Sequence, residues 1–177
     1  MAQPLVAFNL QRWIDEHREL LKPPIGAQMI WQDSEFMIMI IGGPNARRDF
    51  HIDPADEFFY QLEGQMTLEY IDADGQRQRQ SIRAGEVLLL PANTPHSPQR
   101  SANSVGLVVE RVRSLDEPEK YAWYCEECNA QLYELSRGEE DVLQELSKVN
   151  QDYNGNESLR TCGQCGYVQP LATGPRL

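Results

Sequence analysis

Histidine is scarce in this chain, with three in 177 residues at His17, His51 and His96. Cysteine is absent before Cys125, and all four cysteines fall in the last third. Basic residues are outnumbered 16 to 27 by acids, for a formal net charge of −11. That balance excludes the electrostatics of a phosphate-backbone binder and of an anionic membrane surface. No apolar run exceeds Phe36–Ile41, far short of the ~20 residues that cross a bilayer as a helix. Internal repeats and low-complexity segments are also missing. Met1–Val6 lacks a basic region followed by an apolar run, so no signal peptide and a cytoplasmic location are expected. The length suffices for one well-buried domain and a small appendage.

Apolar positions at Leu10, Trp13, Ile14, Leu20 and Leu21, with His17 on the same face, predict a helix over 9–22. Asn9 is its N-cap and Pro23-Pro24 its stop. Short strand-like segments follow at 28–33, 35–41, 57–63, 66–72, 77–83, 86–90 and 105–112. Turn residues separate them, at Gly42-Gly43-Pro44-Asn45, Glu63-Gly64, Asp72-Ala73-Asp74-Gly75 and Ala84-Gly85. Many short strands at this spacing predict an all-β sandwich or barrel. Asp72–Gly75 opens like a calcium loop, but no Glu stands at the required position, so a hairpin turn is expected. Ser114–Lys120, rich in acids around Pro118, is read as a linker. The expected division is therefore 1–114 for a barrel and 115–177 for an extension. In the extension, Ser136 and Glu139 form a capping box before Val142, Leu143, Leu146 and Val149, which predicts a second helix.

Two of the three histidines fall into a spaced pattern, His51-x5-Glu57-x6-Gly64 and Gly85-x5-Pro91-x4-His96. Two imidazoles and one carboxylate on strand-like segments form the ligand set of a non-haem Fe(II) site with open positions. An open-sided iron can take both an organic substrate and O2, which points to oxygen chemistry. A solvated Glu57 and packing histidines are the bland alternative for each residue alone. The joint spacing, with glycines where turns are needed, weakens it. His17, on an apolar helix face, is read as a packing residue.

The pattern resembles the two motifs of the cupin superfamily, a double-stranded β-barrel or jelly roll with its metal inside. Asp53 stands where that motif usually has a second histidine, and Arg100 where it has an asparagine. Further residues narrow the resemblance: Trp31-Gln32-Asp33, Gly42–Asn45, Arg47, Asp49, Glu57–Leu62, His96–Arg100, Glu110-Arg111 and Trp123–Cys125. Together they are similar to the 3-hydroxyanthranilate 3,4-dioxygenases of bacterial type, over nearly the whole chain.

That resemblance implies catalytic Fe(II) on His51, Glu57 and His96, and Arg47 and Arg100 holding the carboxylate of 3-hydroxyanthranilate. Glu110 would hydrogen-bond the ring substituent, while Phe59 and Pro98 line the ring pocket. Physical chemistry agrees, since planar guanidinium groups pair bidentately with a carboxylate. Arg47 lies four residues before His51, and Arg100 four after His96. The implied reaction opens the ring with O2 to 2-amino-3-carboxymuconate semialdehyde, the precursor of quinolinate in the kynurenine route to NAD. The family also implies a homodimer. A cupin of another activity (a different oxygenase or an isomerase) and a non-enzymatic metal-dependent sensor are the competing readings.

Cys125-x2-Cys128 and Cys162-x2-Cys165 form two knuckles. Four thiolates close a tetrahedral site that suits zinc or a rubredoxin-like iron. With no open position the site is read as structural, and the resemblance favours iron. A zinc-ribbon nucleic-acid module is disfavoured by the acidic surroundings.

Overall fold

The computed structural model describes residues 7–23, 26–31, 34–114, 116–136 and 151–171. Helix α1 (Leu10–Glu16) starts where expected, with the Asn9 side chain accepting from the Arg12 N–H at 2.8 Å. It stops at Glu16, short of the expected Lys22, and a 3-10 turn (Arg18–Leu21) follows. The His17 N–H is shared between the carbonyls of Trp13 and Ile14, at 3.0 and 3.2 Å, which tightens the chain there. Leu21 is thereby buried, while Leu20 is left exposed. The turn comes so close to the sheet that a Cβ on Gly42 would lie 2.0 Å from the Leu21 carbonyl oxygen. Only glycine fits there.

Eleven described strands form two antiparallel sheets. One has the order β1 (Ala27–Trp31), β2 (Phe36–Gly42), β9 (Val105–Arg111), β4 (Glu57–Glu63), β7 (Val87–Leu90). The other runs β11 (Gln131–Ser136), β10 (Lys120–Tyr124), β3 (Asp49–Ile52), β8 (His96–Arg100), β5 (Gln65–Ile71), β6 (Arg77–Arg83). Strands β2 to β9 switch sheets at every step except the β5–β6 hairpin, so β2-β9-β4-β7 faces β3-β8-β5-β6. That order is the double Greek key of a jelly roll, the expected cupin barrel.

Phe59, Met66, Leu68, Ile82, Leu90 and Val108 fill the space between the sheets. Ile14 and Leu21 cover Ile40 and Val105 on the outer face of the first sheet. The Asp72–Gly75 segment is the β5–β6 hairpin turn, with Asp72 Oδ1 accepting from the N–H groups of Asp74 and Gln76.

Strands β3, β8, β10 and β11 are absent from the pattern-based reading, for a physical reason. Strand β8 carries His96, Pro98 and Arg100 on one face and no aliphatic run, while β3 is four residues long, so its Phe50 and Ile52 make too short an alternation to mark a strand. The segment read as a linker leads straight into β10, which pairs with β3 through Lys120↔Ile52 and Tyr121↔His51. Trp123 stacks on Tyr153 at 4.6 Å, which seats residues of the tail against this edge. The second expected helix falls largely on 137–150, outside the described residues, although residues 151–155 are helical. No helix among the described residues is long and apolar enough to cross a membrane.

Candidate metal centres and substrate pocket

Strands β3 and β8 pair through His51↔His96, which sets the two imidazoles side by side with centroids 5.3 Å apart. Glu57 opens β4 in the facing sheet. Its Oε1 lies 3.2 Å from His96 Nε2 and 3.5 Å from His51 Nδ1. Donors bound to one ion at about 2.1 Å stand roughly 3 Å apart when they meet at a right angle. The three groups therefore have the spacing of ligands around a shared centre, and all three are buried. His96 Nδ1 donates to the Thr94 carbonyl at 3.0 Å, leaving the Nε2 lone pair aimed at the cluster.

Burial opposes charge on both Glu57 and His51, yet the charged and hydrogen-bonding neighbours of each outweigh it. Against burial, the imidazoles hold the Glu57 carboxyl well below the usual carboxylate range. His51 is likewise raised well above its ordinary value despite burial, by Tyr121, Glu119 and Glu57.

Arg47 enters just before β3, and its guanidinium binds Asp49 Oδ2 at 2.5 and 3.2 Å. Arg100 ends β8 and is buried, with its backbone N–H bonded to Asn45 Oδ1 at 2.6 Å. A Cβ on Gly106 would sit 2.8 Å from Arg100 Nη1, so this glycine makes room for the guanidinium. Burial and the charge of Arg47 push Arg100 down to about 10. Among the described residues no carboxylate pairs with it. One buried and one partly buried cation, with Asp49 paired to Arg47, favour an incoming carboxylate.

Glu110 on β9 is half-buried, and burial together with the charge of Glu57 pushes its carboxyl up to about 8. Phe59 presents its edge to His96 with centroids 6.0 Å apart. Pro98 is buried on the strand face it shares with His96 and Arg100. The fold thus sets Arg47 and Glu110 close enough to Glu57, and Arg100 close enough to Arg47, for each to feel the other's charge. It adds Tyr121, stacked on His51 at 5.2 Å, and Glu119, whose Oε2 lies 2.6 Å from His51 Nε2. Nothing in the acid-rich run Asp116-Glu117-Pro118-Glu119 marks Glu119 in the sequence. Asp53, standing where a second histidine is usual, accepts from the Ala55 N–H at 2.7 Å and faces Arg113.

The four cysteines converge as two matching knuckles. Cys125 O accepts from the Asn129 N–H at 3.0 Å, and Cys162 O from the Gly166 N–H at 2.8 Å. Asn129 and Gly166, each just past the second cysteine, take positive φ of 60° and 77°. Sγ–Sγ distances of 3.6 Å (Cys125–Cys165) and 3.5 Å (Cys128–Cys162) approach the ~3.8 Å edge of a tetrahedron with 2.3 Å metal–sulfur bonds. The N–H groups of Cys165 and Gln164 pull the Cys162 thiol down to about 6. Against the Ala130 N–H, burial and the neighbouring sulfurs push Cys128 up to about 12. A cation bound by all four thiolates would displace the protons the sulfurs still carry. Both donor sets are suited to hold a metal.

A protein-family model for 3-hydroxyanthranilic acid dioxygenase matches residues 3–154. A 3-hydroxyanthranilate 3,4-dioxygenase of Bacillus thuringiensis (strain Al Hakam) is 47% identical over 98% of this chain and 97% of its own. One from Xanthomonas oryzae pv. oryzae (strain MAFF 311018) is 49% identical over 92% of each. A cupin-2 domain protein from Shewanella frigidimarina aligns with 56% of this chain and 92% of its own, at 16% identity and a TM-score of 0.47. With a family model spanning most of its length and curated relatives near half identity end to end, the chain belongs to the 3-hydroxyanthranilic acid dioxygenase family.

Proposed function

We propose that the chain opens the ring of 3-hydroxyanthranilate with O2, giving 2-amino-3-carboxymuconate semialdehyde, the precursor of quinolinate. Both oxygen atoms enter the product, so substrate and O2 are consumed one for one. The observation that carries the reading is the guanidinium pair of buried Arg100 and partly buried Arg47, with Asp49 the one acid in an ion pair with either of them among the described residues. A sensor or a sugar isomerase has no use for a carboxylate clamp beside a metal cluster.

His51, Glu57 and His96 would hold Fe(II). When bound there, iron supplies a Lewis-acidic, redox-active centre with positions open to substrate and O2. Arg47 and Arg100 grip the ring carboxylate and fix the plane of the substrate. Phe59 and Pro98 pack on the ring and keep water away. Glu110, placed on β9 where it feels the charge of Glu57, would accept or steer the proton that the ring hydroxyl gives up on binding. We assign catalysis to residues 1–114 and a structural metal to residues 115–177, where Cys125, Cys128, Cys162 and Cys165 would bind rubredoxin-like iron. Zinc is the alternative, separated by the visible absorption of an iron tetrathiolate. A homodimer is the expected assembly, read out by sedimentation.

The test is anaerobic loading with Fe(II) followed by oxygen uptake on adding 3-hydroxyanthranilate. Equimolar consumption of both supports the reading. No turnover with fresh Fe(II) under reducing conditions would sink it.

A further inference from the structure

We infer that Glu119 is a positioning residue for the barrel metal. It fixes the tautomer and ring orientation of His51 by accepting a hydrogen bond from Nε2, while Nδ1 faces the centre shared with Glu57 and His96.

The geometry is specific. Glu119 Oε2 stands 2.6 Å from His51 Nε2, and the Glu119 side chain is 4% exposed. Glu57 Oε1 lies on the other side of the same ring, 3.5 Å from Nδ1. An imidazole with an acceptor at one nitrogen has its proton placed there, and its other lone pair is free for a metal. His96 shows the same division of labour, with Thr94 O in the place of the carboxylate. Both ligand imidazoles thus have one nitrogen on an acceptor and the other turned to Glu57.

Glu119 is itself held. Arg113 Nη1 binds its Oε2 at 2.9 Å, and Arg113 Nε lies 3.4 Å from Asp53 Oδ2. The guanidinium therefore bridges two buried acids, and Tyr121, two residues on from Glu119, stacks on the His51 ring. His51, Asp53 and Glu119 place donor atoms close enough to suggest a second cation site. The guanidinium already sits against both acids, and the short bond to Glu119 uses the nitrogen a second ion would need. The bracket orients a ligand.

This inference rests on the iron-site reading above and is tested apart from it. Full-length Fe(II)-loaded protein, Glu119→Ala and Glu119→Gln are compared for the rate of Fe(II) loss to a chelator. The visible spectrum of the Co(II)-substituted forms, kcat and KM complete the comparison. Glu119→Ala is expected to weaken metal retention roughly 10- to 100-fold, the usual cost of losing such a partner. Its Co(II) bands should shift and kcat fall, with KM changed by no more than about twofold because the substrate clamp is untouched. Glu119→Gln, whose amide oxygen can accept the same hydrogen bond, should restore most of the retention. The inference is overturned if Glu119→Ala keeps its metal and its Co(II) spectrum like the parent. It is also overturned if Glu119→Gln is as defective as Glu119→Ala, since the charge and not the accepted hydrogen bond would then be what matters. Should the alanine variant fail to fold, the glutamine variant against the parent decides by itself. A parent that holds Fe(II) but never turns over sinks the functional reading and leaves the retention comparison intact.

Discussion

The barrel cluster draws His51, Glu57 and His96 from three strands in two facing sheets, whereas the tail cluster draws its four sulfurs from two short knuckles. Each knuckle closes its own hydrogen bonds, from Asn129 to Cys125 and from Gly166 to Cys162, before any metal is considered. The barrel cluster has no such local scaffold. It exists only because β3 meets β8 at His51↔His96 and the opposite sheet delivers Glu57. The sets also differ in completeness. Four thiolates fill a tetrahedron, while two imidazoles and a carboxylate leave positions for reactants, with Arg47 and Arg100 waiting nearby. A closed set stabilises, and an open set beside uncompensated charge does chemistry.

The sharpest break between the two is His51→Ala. It should abolish turnover while the cysteine-bound metal remains, as metal analysis of the purified variant would show. Loss of both metals together would mean the clusters are not independent. Next in size is Arg100→Ala, which deletes the proposed clamp arm that has no carboxylate partner among the described residues. Losing charge-assisted hydrogen bonds worth about 1.5–3 kcal/mol lowers kcat/KM roughly 10- to 100-fold, mostly through KM. Arg100→Lys should not restore it, because one ammonium cannot copy a planar fork. Steady-state kinetics on both variants decides this. If Arg100→Ala leaves KM unchanged, the clamp assignment fails.

Cys162→Ser tests the tail alone. It should release the tail metal and destabilise the fold by about 2 kcal/mol, lowering Tm by roughly 4–8 °C. The kcat of the Fe(II)-loaded barrel should stay within a few fold. A collapse of kcat at a temperature where the protein is folded would show the tail acting on the site through β10. The smallest effect is expected at Asn9→Ala, which removes the cap of α1 for about 1 kcal/mol. Thermal unfolding should register a few degrees, with kinetics unchanged, since α1 covers the outer face of the sheet away from both clusters.

How legible each part was in the sequence follows from the same contrast. The knuckles could be read directly because their ligand spacing is local and their turn residues sit beside the cysteines. The triad could be read because its spacings are long but regular. Strands with apolar alternation, such as β2, β4, β5 and β9, also announced themselves. Strand β8 did not, because one face carries His96, Pro98 and Arg100, and β3 did not, because Phe50 and Ile52 alone are too short an alternation. Glu119 and Arg113 were hidden in a run of charges that looks solvated. Only the pairing of β10 with β3 turns that run toward His51.

By itself, then, the sequence determined the all-β class, the two donor sets, the arginine pair and the membership of a family. Those depend on residue type at fixed spacing, which folding does not alter. The tertiary structure decided which nitrogen of His51 faces the centre, that Arg47 has Asp49 while Arg100 has no acid partner among the described residues, and that a stretch read as a linker delivers Glu119. Each of these depends on cross-strand register and on burial, where the direction of one side chain sets the cost of a charge. That direction is fixed only when distant strands meet.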